Sequence, residues 1–500
     1  MAFKAFWRND LVTAPTLSRD ADDVASQQKD PKRAARKAKA DAHRSLITEG
    51  NIQRGVIAVA VPSVATMLLQ TTNGLLDTFF VGSLGTEAVA AITVSGSLMF
   101  ALMAAAMAVS VGTTALVARF IGEKADADAV TATRQSIILS VLISVALGIP
   151  MFFLRIPLLS ALGLGDDALQ QASRYLAVTI IGMPFLFMML ILNGAFRGLG
   201  DTARPFWVSL LANIVHAAFN YLLIFGHFGF PKLGLAGGAT ALAISQLIAT
   251  ILYLAFLPKT PLADALRGGW ELDWEWAKRI ARIGIPASAQ QLIRVGSMLA
   301  FQALLARSGA GAAAVAALGI GLRSESIAFM PGFGYAIAAS AFVGQNLGAG
   351  RPDRANAGAW AATLQAVVVM TLMGLLFAVF GEEFARFFIK HVPGETAHQA
   401  AQIEETIRLT AAYLHIAVYS EAFLALGMVL TGALQGAGET VSPTAITVIS
   451  MAVIRLPLSW LLLNWYGPIG AWWAMSISTI IQGVMVVYIF RQGKWHQTKV

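Results

Sequence analysis

Long apolar runs, separated by short polar links, dominate the chain after about residue 50. A helix needs about 20 mostly apolar residues to cross a bilayer, and twelve runs are long enough to do so. Polar and apolar residues do not alternate along them, as they would in the strands of an outer-membrane barrel, so we predict helices. The runs lie near residues 55–79, 88–120, 132–154, 173–196, 206–226, 235–257, 277–305, 312–346, 356–380, 408–436, 442–463 and 468–490.

Composition places these helices in a membrane. Hydrophobic residues make up 57% of the chain and charged residues 13%, of which 18 of 64 lie in the first 54 positions. Soluble domains carry about 25% charged residues, so a water-soluble fold is excluded. The chain has no cysteine, which excludes disulfides and cysteine-ligated metals. We predict an all-α polytopic membrane protein with twelve transmembrane helices and lipid as its surroundings.

The distribution of Lys and Arg predicts the orientation of the chain. With the N-terminus inside, the even-numbered links and the C-terminal tail hold 15 Lys and Arg, and the outer links hold 7. The positive-inside rule therefore places both termini in the cytoplasm, and we expect an inner-membrane location. The basic residues lie at the predicted membrane edges, so the high pI of about 9.7 does not indicate nucleic-acid binding.

The second half of the chain repeats the first. GAFRGLGDT (194–202) corresponds to GALQGAGET (432–440), and ALVARFIGEKADADA (115–129) to AFVGQNLGAGRPDRA (341–355). Each half has six predicted spans, an even number, so the repeat is parallel, with a pseudo-two-fold axis along the membrane normal. We predict two six-helix lobes around a cleft, a layout typical of alternating-access carriers. The segments are a mostly disordered cytoplasmic tail (1–50), an N-lobe (51–257), a cytoplasmic linker (258–275), a C-lobe (276–491) and a cytoplasmic C-terminal tail (492–500).

Two polar stripes stand out in the N-lobe. Gln70, Asn73 and Asp77 share one face of the first span with Thr66, and the fifth span carries Asn213, His216 and Asn220. Amide and carboxylate oxygens suit a hard cation such as Na+, and a buried carboxyl group can instead exchange a proton near neutral pH. Hydrogen bonding between helices is an alternative role for the asparagines. Pro62 removes a backbone hydrogen bond near the start of the first span, which makes that helix bendable.

Intramembrane charges in the C-lobe are a second candidate site. Ionisable groups are costly in hydrocarbon, and they persist there where they pair or line a cavity. Glu325 is predicted to meet Arg294, and Glu421 either pairs with Arg455 or lines the cleft. An offset of 224 residues maps Asp77 onto Phe301, so cation exchange is assigned to the N-lobe. Arg294, Glu325 and Glu421 remain secondary cavity candidates.

Catalytic signatures are missing: the chain contains no HExxH, GxxxxGK[ST] or GxSxG sequence. We therefore expect no enzyme activity, no cofactor and no metal, except that Na+ could bind at Asp77, Asn213 and Asn220. Transport would be driven by an ion gradient rather than by ATP.

Motifs in both halves resemble the MATE family, the multidrug and toxic compound extrusion antiporters, and in particular its prokaryotic DinF-like branch. They cover residues 51–490. The resemblance implies two six-helix lobes, and it implies export of cationic or aromatic small molecules against H+ or Na+. The motifs are LLDTFFVGSLGTEAVAA (75–91) after Pro62, GAFRGLGDTARP (194–205), NYLLIFG (220–226), GLAGGA (234–239), FMPGFGYAIAASAFVGQNLGAGRPDRA (329–355) and TGALQGAGET (431–440).

The resemblance also implies roles for individual residues. The family's first-helix Asp and Pro match Asp77 and Pro62. Its fifth-helix Asn and Asp fall on His216 and Asn220, a departure that leaves one acid and favours H+ over Na+. Its seventh-helix Glu falls on Arg294, and its tenth-helix Asp falls near Leu424, one turn from Glu421, which argues against a C-lobe Na+ site of that type.

The leading hypothesis is a monomeric inner-membrane exporter of cationic or amphipathic molecules, driven by H+ through Asp77 with bending of the first helix at Pro62. A Na+-coupled antiporter of the same fold is the main alternative. A flippase of lipid-linked precursors ranks third, because the spans offer few Arg or Lys to hold a pyrophosphate.

Overall fold

The structure is a computed structural model that describes residues 44–389 and 395–498. Regular structure in these ranges is helical, and ten helices are long and apolar enough to cross a membrane. The prediction of an all-α polytopic membrane protein is therefore confirmed. The long helices are α1 (Ile52–Gly82), α2 (Thr86–Gly122), α3 (Asp126–Ala161), α4 (Asp166–Gly198), α5 (Ala203–Phe225), α6 (Leu235–Phe256), α7 (Trp274–Ala306), α8 (Gly311–Gly348), α9 (Pro352–Val379), α10 (Ala397–Gly436) and the segment Val441–Arg491.

Two features reconcile ten candidate spans with twelve predicted ones. The segment Val441–Arg491 has 51 residues, which at 1.5 Å per residue is about two and a half times the ~30 Å of a hydrocarbon core. Gly467 interrupts it with φ 63° and ψ −156°, so we name 441–466 α11 and 468–491 α12. The other feature is α7, 33 residues long, whose polar and charged residues lower its hydropathy.

Local sequence explains several helix ends. The Asn51 side chain accepts a hydrogen bond from the Arg54 backbone N–H at 3.2 Å and caps α1. A capping box, in which Thr396 and Gln399 satisfy each other's backbone N–H groups, begins α10. A short helix, Gly381–Phe388, follows α9.

The packing of the helices repeats between the two halves. In the first half α4 packs on α2, α3 and α6, and α1 packs on α5. In the second half α10 packs on α8, α9 and α12, and α7 packs on α11. The two-fold also relates the contacts between lobes, because α1 packs on α8 and α7 packs on α2. The segment boundaries at 51–257 and 276–491 themselves stay predictions.

Each lobe's first helix buries its beginning in the other lobe. Val56, Val59 and Ala60 of α1 belong to the core of α8, α9 and α10. Ile280 and Ile283 of α7 belong to the core of α2, α4 and α6. Helices α1 and α7 therefore connect the lobes on the side where α1 begins and α12 ends, which we call the tail side.

Glycines allow the lobes to approach closely on the tail side. A Cβ atom at Gly284 of α7 would lie 1.9 Å from the Ala108 carbonyl oxygen of α2, and one at Gly334 of α8 would lie 2.4 Å from Val64 Cγ2 of α1. Beside the first contact, the Ser288 hydroxyl donates to the Ala104 carbonyl at 2.7 Å. Any side chain at these glycines would separate the lobes.

The opposite side, which we call the far side, lacks such close glycine contacts. Glycines of the same four helices lie there without close neighbours, since a Cβ atom would have none of the described atoms within 4 Å. The close glycine contacts between the lobes are therefore on the tail side. The far-side glycines are Gly74 and Gly82 of α1, Gly96 of α2, Gly296 of α7 and Gly319 of α8.

Residues 44–50 bridge the two lobes on the tail side. Arg44 lies 2.9 Å from Asp126 of the N-lobe, and Ile47 is fully buried. From the C-lobe, Arg351 and Arg354 donate to the Thr48 and Ile47 carbonyls at 2.6 and 3.1 Å. The prediction of a disordered tail is therefore wrong for residues 44–50, because their apolar and carbonyl groups have partners. Residues 1–43 lie outside the described residues.

Candidate functional site

The polar stripes of α1 and α5 face each other and form one hydrogen-bonded network. Asn220 donates through Nδ2 to the Asp77 Oδ1 atom at 3.0 Å. The same amide nitrogen lies 3.3 Å from His216 Nε2, one turn earlier on α5. His216 Nε2 is in turn 3.6 Å from Asp77 Oδ1. Asp77, His216 and Asn220, all singled out from the sequence, therefore meet at a single point between the two helices.

The network continues along α1 towards the tail side. His216 Nδ1 lies 3.0 Å from the Asn73 Oδ1 atom, one turn before Asp77. Since an amide oxygen only accepts, His216 donates from Nδ1, and its Nε2 in the neutral ring is an acceptor facing Asn220 and Asp77. The ring therefore connects the amide of Asn73 to the carboxyl group of Asp77.

Two predicted site residues lie apart from this network. The Asn213 amide donates to the Leu69 backbone carbonyl at 3.3 Å, a contact that joins α5 to α1. Gln70 is exposed and has no hydrogen bond to the described residues. The structure thus unites Asn73, Asp77, His216 and Asn220, and it gives Asn213 an interhelical contact.

Asp77 differs from its partners in exposure. Its side chain is 34% exposed, whereas His216 and Asn220 are 3% and 2% exposed. Asp77 lies five residues before the end of α1, on the far side. Tyr175 of α4 is close enough to interact electrostatically with it. The carboxyl group is therefore the partly exposed member of a network whose α5 members are buried.

Pro62 lies on the tail side of the same helix, fifteen residues or about 22 Å before Asp77. The helix α1 is continuous through it, and the Thr66 hydroxyl donates to the Pro62 carbonyl at 2.8 Å. A small cavity adjoins this segment, lined by Ser63, Thr66, Met67, Arg197, Thr202, Pro205 and Ile337. This cavity, which we call the Pro62 cavity, has room for about one water-sized group.

The C-lobe uses the equivalent faces for packing. The Gln290 amide of α7 donates to the Thr447 hydroxyl of α11 at 2.8 Å. The Ser297 hydroxyl donates to the Met451 carbonyl at 2.7 Å. Phe301, the residue aligned with Asp77, is fully buried. The 224-residue mapping therefore places matching helix faces together, but with Phe301 instead of a carboxylate at the position that matches Asp77.

The C-lobe carboxyl groups pair differently from our predictions. Glu325 of α8 accepts a hydrogen bond from the Tyr413 hydroxyl of α10, and it has no hydrogen bond to Arg294 among the described residues. Arg455 donates to the Ser478 and Thr479 hydroxyls, at 2.8 and 3.0 Å. The predicted ion pair of Glu325 with Arg294 is therefore wrong, because residues on α10 fill the position opposite Glu325.

Arg455 is the last residue of a π-helical stretch, and an ordinary α-helix begins at Leu456. Residues Val448–Arg455 form the π-helix, whose wide turns often occur at functional positions. Arg455 interacts electrostatically with Glu325 and with Arg294. The charged cluster of the C-lobe thus joins α7, α8, α10 and α11.

Sequence reasoning missed three residues at these sites. Tyr175 lies near Asp77, Tyr413 binds Glu325, and Arg197, placed in a link by the apolar runs, is in the last turn of α4 beside the Pro62 cavity. The GAFRGLGDT repeat contains Arg197 and was the one signal that could have marked it. Tyrosines are common at membrane interfaces, so their sequence positions carried no such signal.

Comparison with known proteins agrees with this architecture. The MatE family model matches residues 62–222 and 286–461, one match in each lobe. The chain is 28% identical over 456 residues to a probable multidrug resistance protein NorM of Thermotoga maritima, with 90% of this chain and 94% of the relative covered. It is also 28% identical over 443 residues to an FAD transporter of Shewanella oneidensis, with 88% and 94% covered.

Solved structures share the fold. One, described as a transporter of the MOP superfamily from Pyrococcus furiosus with a binding pocket of reverse polarity, superposes with a TM-score of 0.82 at 21% identity, covering 91% of this chain and 99% of that one. Another, an outward-facing multidrug resistance MATE family transporter, gives 0.79 at 21% identity, covering 90% and 96%. With the match of the MatE model to both lobes, these findings show that the chain belongs to the MATE family of membrane transporters.

Proposed function

We propose that the protein is a secondary active multidrug efflux transporter that exports cationic or amphipathic small molecules in exchange for H+ by alternating access. The observation that carries this proposal is the Asp77 carboxyl group, which is hydrogen-bonded to Asn220, lies beside His216 and is partly exposed on the far side of the bundle. Related proteins described as probable multidrug resistance proteins support the export of drugs.

The charge distribution gives the sidedness of the proposed cycle. Lys and Arg are concentrated on the tail side, so that side faces the cytoplasm of an inner membrane. The closed tail side then blocks the cytoplasm, and the far side faces outward. A proton from outside reaches Asp77 in this state because its side chain is accessible there.

Proton and substrate would compete for one site. An ionised Asp77 favours a bound cation, and protonation removes the charge that holds it. Movement of α1 about Pro62 would then close the N-lobe cavity and release the substrate outward. The transporter then returns to the inward-facing state with Asp77 protonated. Loss of this proton to the cytoplasm completes the exchange of a proton for the substrate.

Independently imposed gradients test this proposal. Liposomes containing the purified protein are loaded with rhodamine 123, and dye movement is followed after a pH jump at zero Na+, and after a Na+ jump at clamped pH. We expect the pH gradient alone to drive transport, and liposomes without protein to show none. Transport driven only by Na+ would overturn proton coupling.

Na+ coupling is a second candidate because one observation favours it. The Asn220 Oδ1 atom is buried and has no donor among the described residues, although it lies on the amide that binds Asp77. Together with an Asp77 oxygen it could contribute to a site for a hard cation. The Na+ jump described above separates this candidate from the proton.

The Asn220 amide provides a further prediction. Asn220→Leu removes the donor that positions the Asp77 carboxyl group, and hydrogen bonds to charged groups contribute about 1.5–3 kcal/mol, so we expect dye efflux to slow by about tenfold. Asn213→Leu is the matched control, because the Asn213 amide reaches only the Leu69 carbonyl. Initial efflux rates at a fixed pH gradient measure both. Equal losses would contradict the proton site and would favour Na+ bound by all three residues.

A further inference from the structure

Residues 44–50, which we call the strap, are bound by two arginines of the C-lobe. The strap is helical up to Thr48, and the last carbonyl groups of a helix have no partners within it. Arg351, just before α9, donates to the Thr48 carbonyl at 2.6 Å. Arg354, in the first turn of α9, donates to the Ile47 carbonyl at 3.1 Å. Hydrogen bonds from charged donors are stronger than those between neutral groups, so the C-lobe holds the strap firmly by its backbone.

The N-lobe binds the strap through an ion pair and an apolar contact. Arg44 is 8% exposed and lies 2.9 Å from the Oδ1 atom of Asp126, the first residue of α3. Ile47 is fully buried, and a Cβ atom at Gly200 would overlap its Cδ1 atom. Gly200 has φ 75°, so the turn after α4 and the contact with Ile47 both require glycine. The strap is therefore attached to the two lobes within a few residues of each other.

A related arrangement precedes α7. Arg134 of α3 donates to the Asp264 and Ala265 carbonyls of the linker, at 3.2 and 3.3 Å. The neighbouring Gln135 amide donates to the Glu271 carbonyl at 3.0 Å. The third helix of each lobe thus binds the segment that leads into the first helix of the other lobe. The strap is one of two pseudo-symmetric attachments on the tail side, and an ion pair joins it to the N-lobe as well.

We propose that the strap is a lock that keeps the tail side closed, and that its release accompanies each opening of the cleft to the cytoplasm. Its contacts with the two lobes can exist together only while the lobes lie close to each other on the tail side. Contacts that are made in one conformation alone shift the population towards that conformation. Separation of the lobes must therefore break one of the two attachments. The proposal rests on the alternating-access function proposed above.

The accessibility of a buried thiol on the tail side measures the lock. Ser63→Cys provides this thiol, because Ser63 of α1 is 3% exposed and the chain has no cysteine. Ser63 borders the Pro62 cavity, which residues of both lobes line, so local movement of the strap leaves it covered. The full-length protein in nanodiscs is labelled with a water-soluble maleimide, without dye or ion gradient, and the labelling rate is recorded.

Two variants weaken the attachment to the N-lobe. Arg44→Glu places a second negative charge beside Asp126, and we expect labelling to become at least about threefold faster. Ile47→Ala removes most of a buried side chain and should accelerate labelling by about tenfold or more. Combining Arg44→Glu with Asp126→Arg restores an ion pair of reversed polarity and should return labelling to the rate of the protein with Ser63→Cys alone.

Arg267→Glu is the matched control. Arg267 lies 3.1 Å from Asp264 in an ion pair that stays within the linker, and its side chain is 80% exposed. This variant should leave the labelling rate unchanged. The lock would be overturned by unchanged labelling in Arg44→Glu or in a folded Ile47→Ala. Acceleration that Arg267→Glu matches, or that the charge exchange does not reverse, would also overturn it. If Ile47→Ala does not fold, the Arg44 variants decide.

Failure of the lock is distinguishable from failure of the proposed function. The labelling rate depends on neither substrate nor coupling ion. Dye efflux driven by a pH gradient, together with unchanged labelling in the strap variants, would refute the lock alone. Faster labelling in the strap variants of a protein that moves no dye would support the lock and refute the proposed export.

Discussion

Asp77→Asn is expected to reduce proton-driven efflux by at least about tenfold and to leave a sensitive host as susceptible as one without the transporter, since an amide cannot load and release a proton. The substitution preserves shape and the hydrogen bond with Asn220, so folding should be retained. Minimum inhibitory concentrations of ethidium and rhodamine 123 measure the effect in cells, and efflux under an imposed pH gradient measures it in liposomes.

Glu87→Gln is the matched control for that variant. Glu87 is an exposed carboxyl group in the first turn of α2, on the same side of the membrane as Asp77. Its loss should leave resistance and efflux unchanged. Proton-coupled efflux at the wild-type rate in Asp77→Asn would refute the assignment of Asp77 as the coupling group, whatever the result for Glu87→Gln.

The stripe of α1 shows how much of a site can be read from helical spacing. Asn73 and Asp77 lie four residues apart, so they share a face, and His216 and Asn220 do the same on α5. Polar groups on two apolar helices have few partners other than each other, and the structure brings all four together. Gln70 shares the α1 stripe, yet it is exposed, because α5 covers only part of that stripe.

Pairing in the C-lobe could not be predicted in the same way. Neither Glu325 of α8 nor Glu421 of α10 belongs to a polar stripe identified from the sequence, and their spacing along the chain does not say which helices face each other. The sequence favoured opposite charges as partners, whereas in the structure Glu325 accepts a hydrogen bond from the hydroxyl group of Tyr413. The spacing of charged residues predicts which of them interact within one helix. It predicts interactions between two helices only where both helices carry a polar stripe, as α1 and α5 do.

The prediction of the fold from the sequence was limited in the same way, as the polar composition of α7 and the continuity of α11 with α12 show. Spans were predicted from apolar length, and α7 is less apolar because Ser288, Gln290 and Ser297 bond to neighbouring helices. Residues 44–50 were predicted to be disordered from the charge run before them, although Ile47 is buried between the lobes. Tertiary partners decided each of these cases.

Gly284→Ala is expected to open the tail side of the bundle. The added Cβ atom would lie 1.9 Å from the Ala108 carbonyl, so α7 must move away from α2. Overpacking of this kind costs about 1–3 kcal/mol, which would raise the population with an open tail side by about tenfold. Because the chain has no cysteine, Ser63→Cys introduces a single thiol at a buried tail-side position, and its rate of maleimide labelling reports the opening.

Gly296→Ala is the control on the same helix. It adds the same atom on the far side, where no described atom lies within 4 Å of it. Labelling should therefore proceed at the rate of the protein that carries Ser63→Cys alone. Gly112→Ala approaches the same interface from α2, 2.6 Å from the Ile280 carbonyl, and should act in the same direction as Gly284→Ala. Equal labelling in the Gly284 and Gly296 variants would show that this contact does not hold the lobes closed. Faster labelling in both Gly284→Ala and Gly112→Ala would identify the α2–α7 contact as the cytoplasmic barrier of the transport cycle.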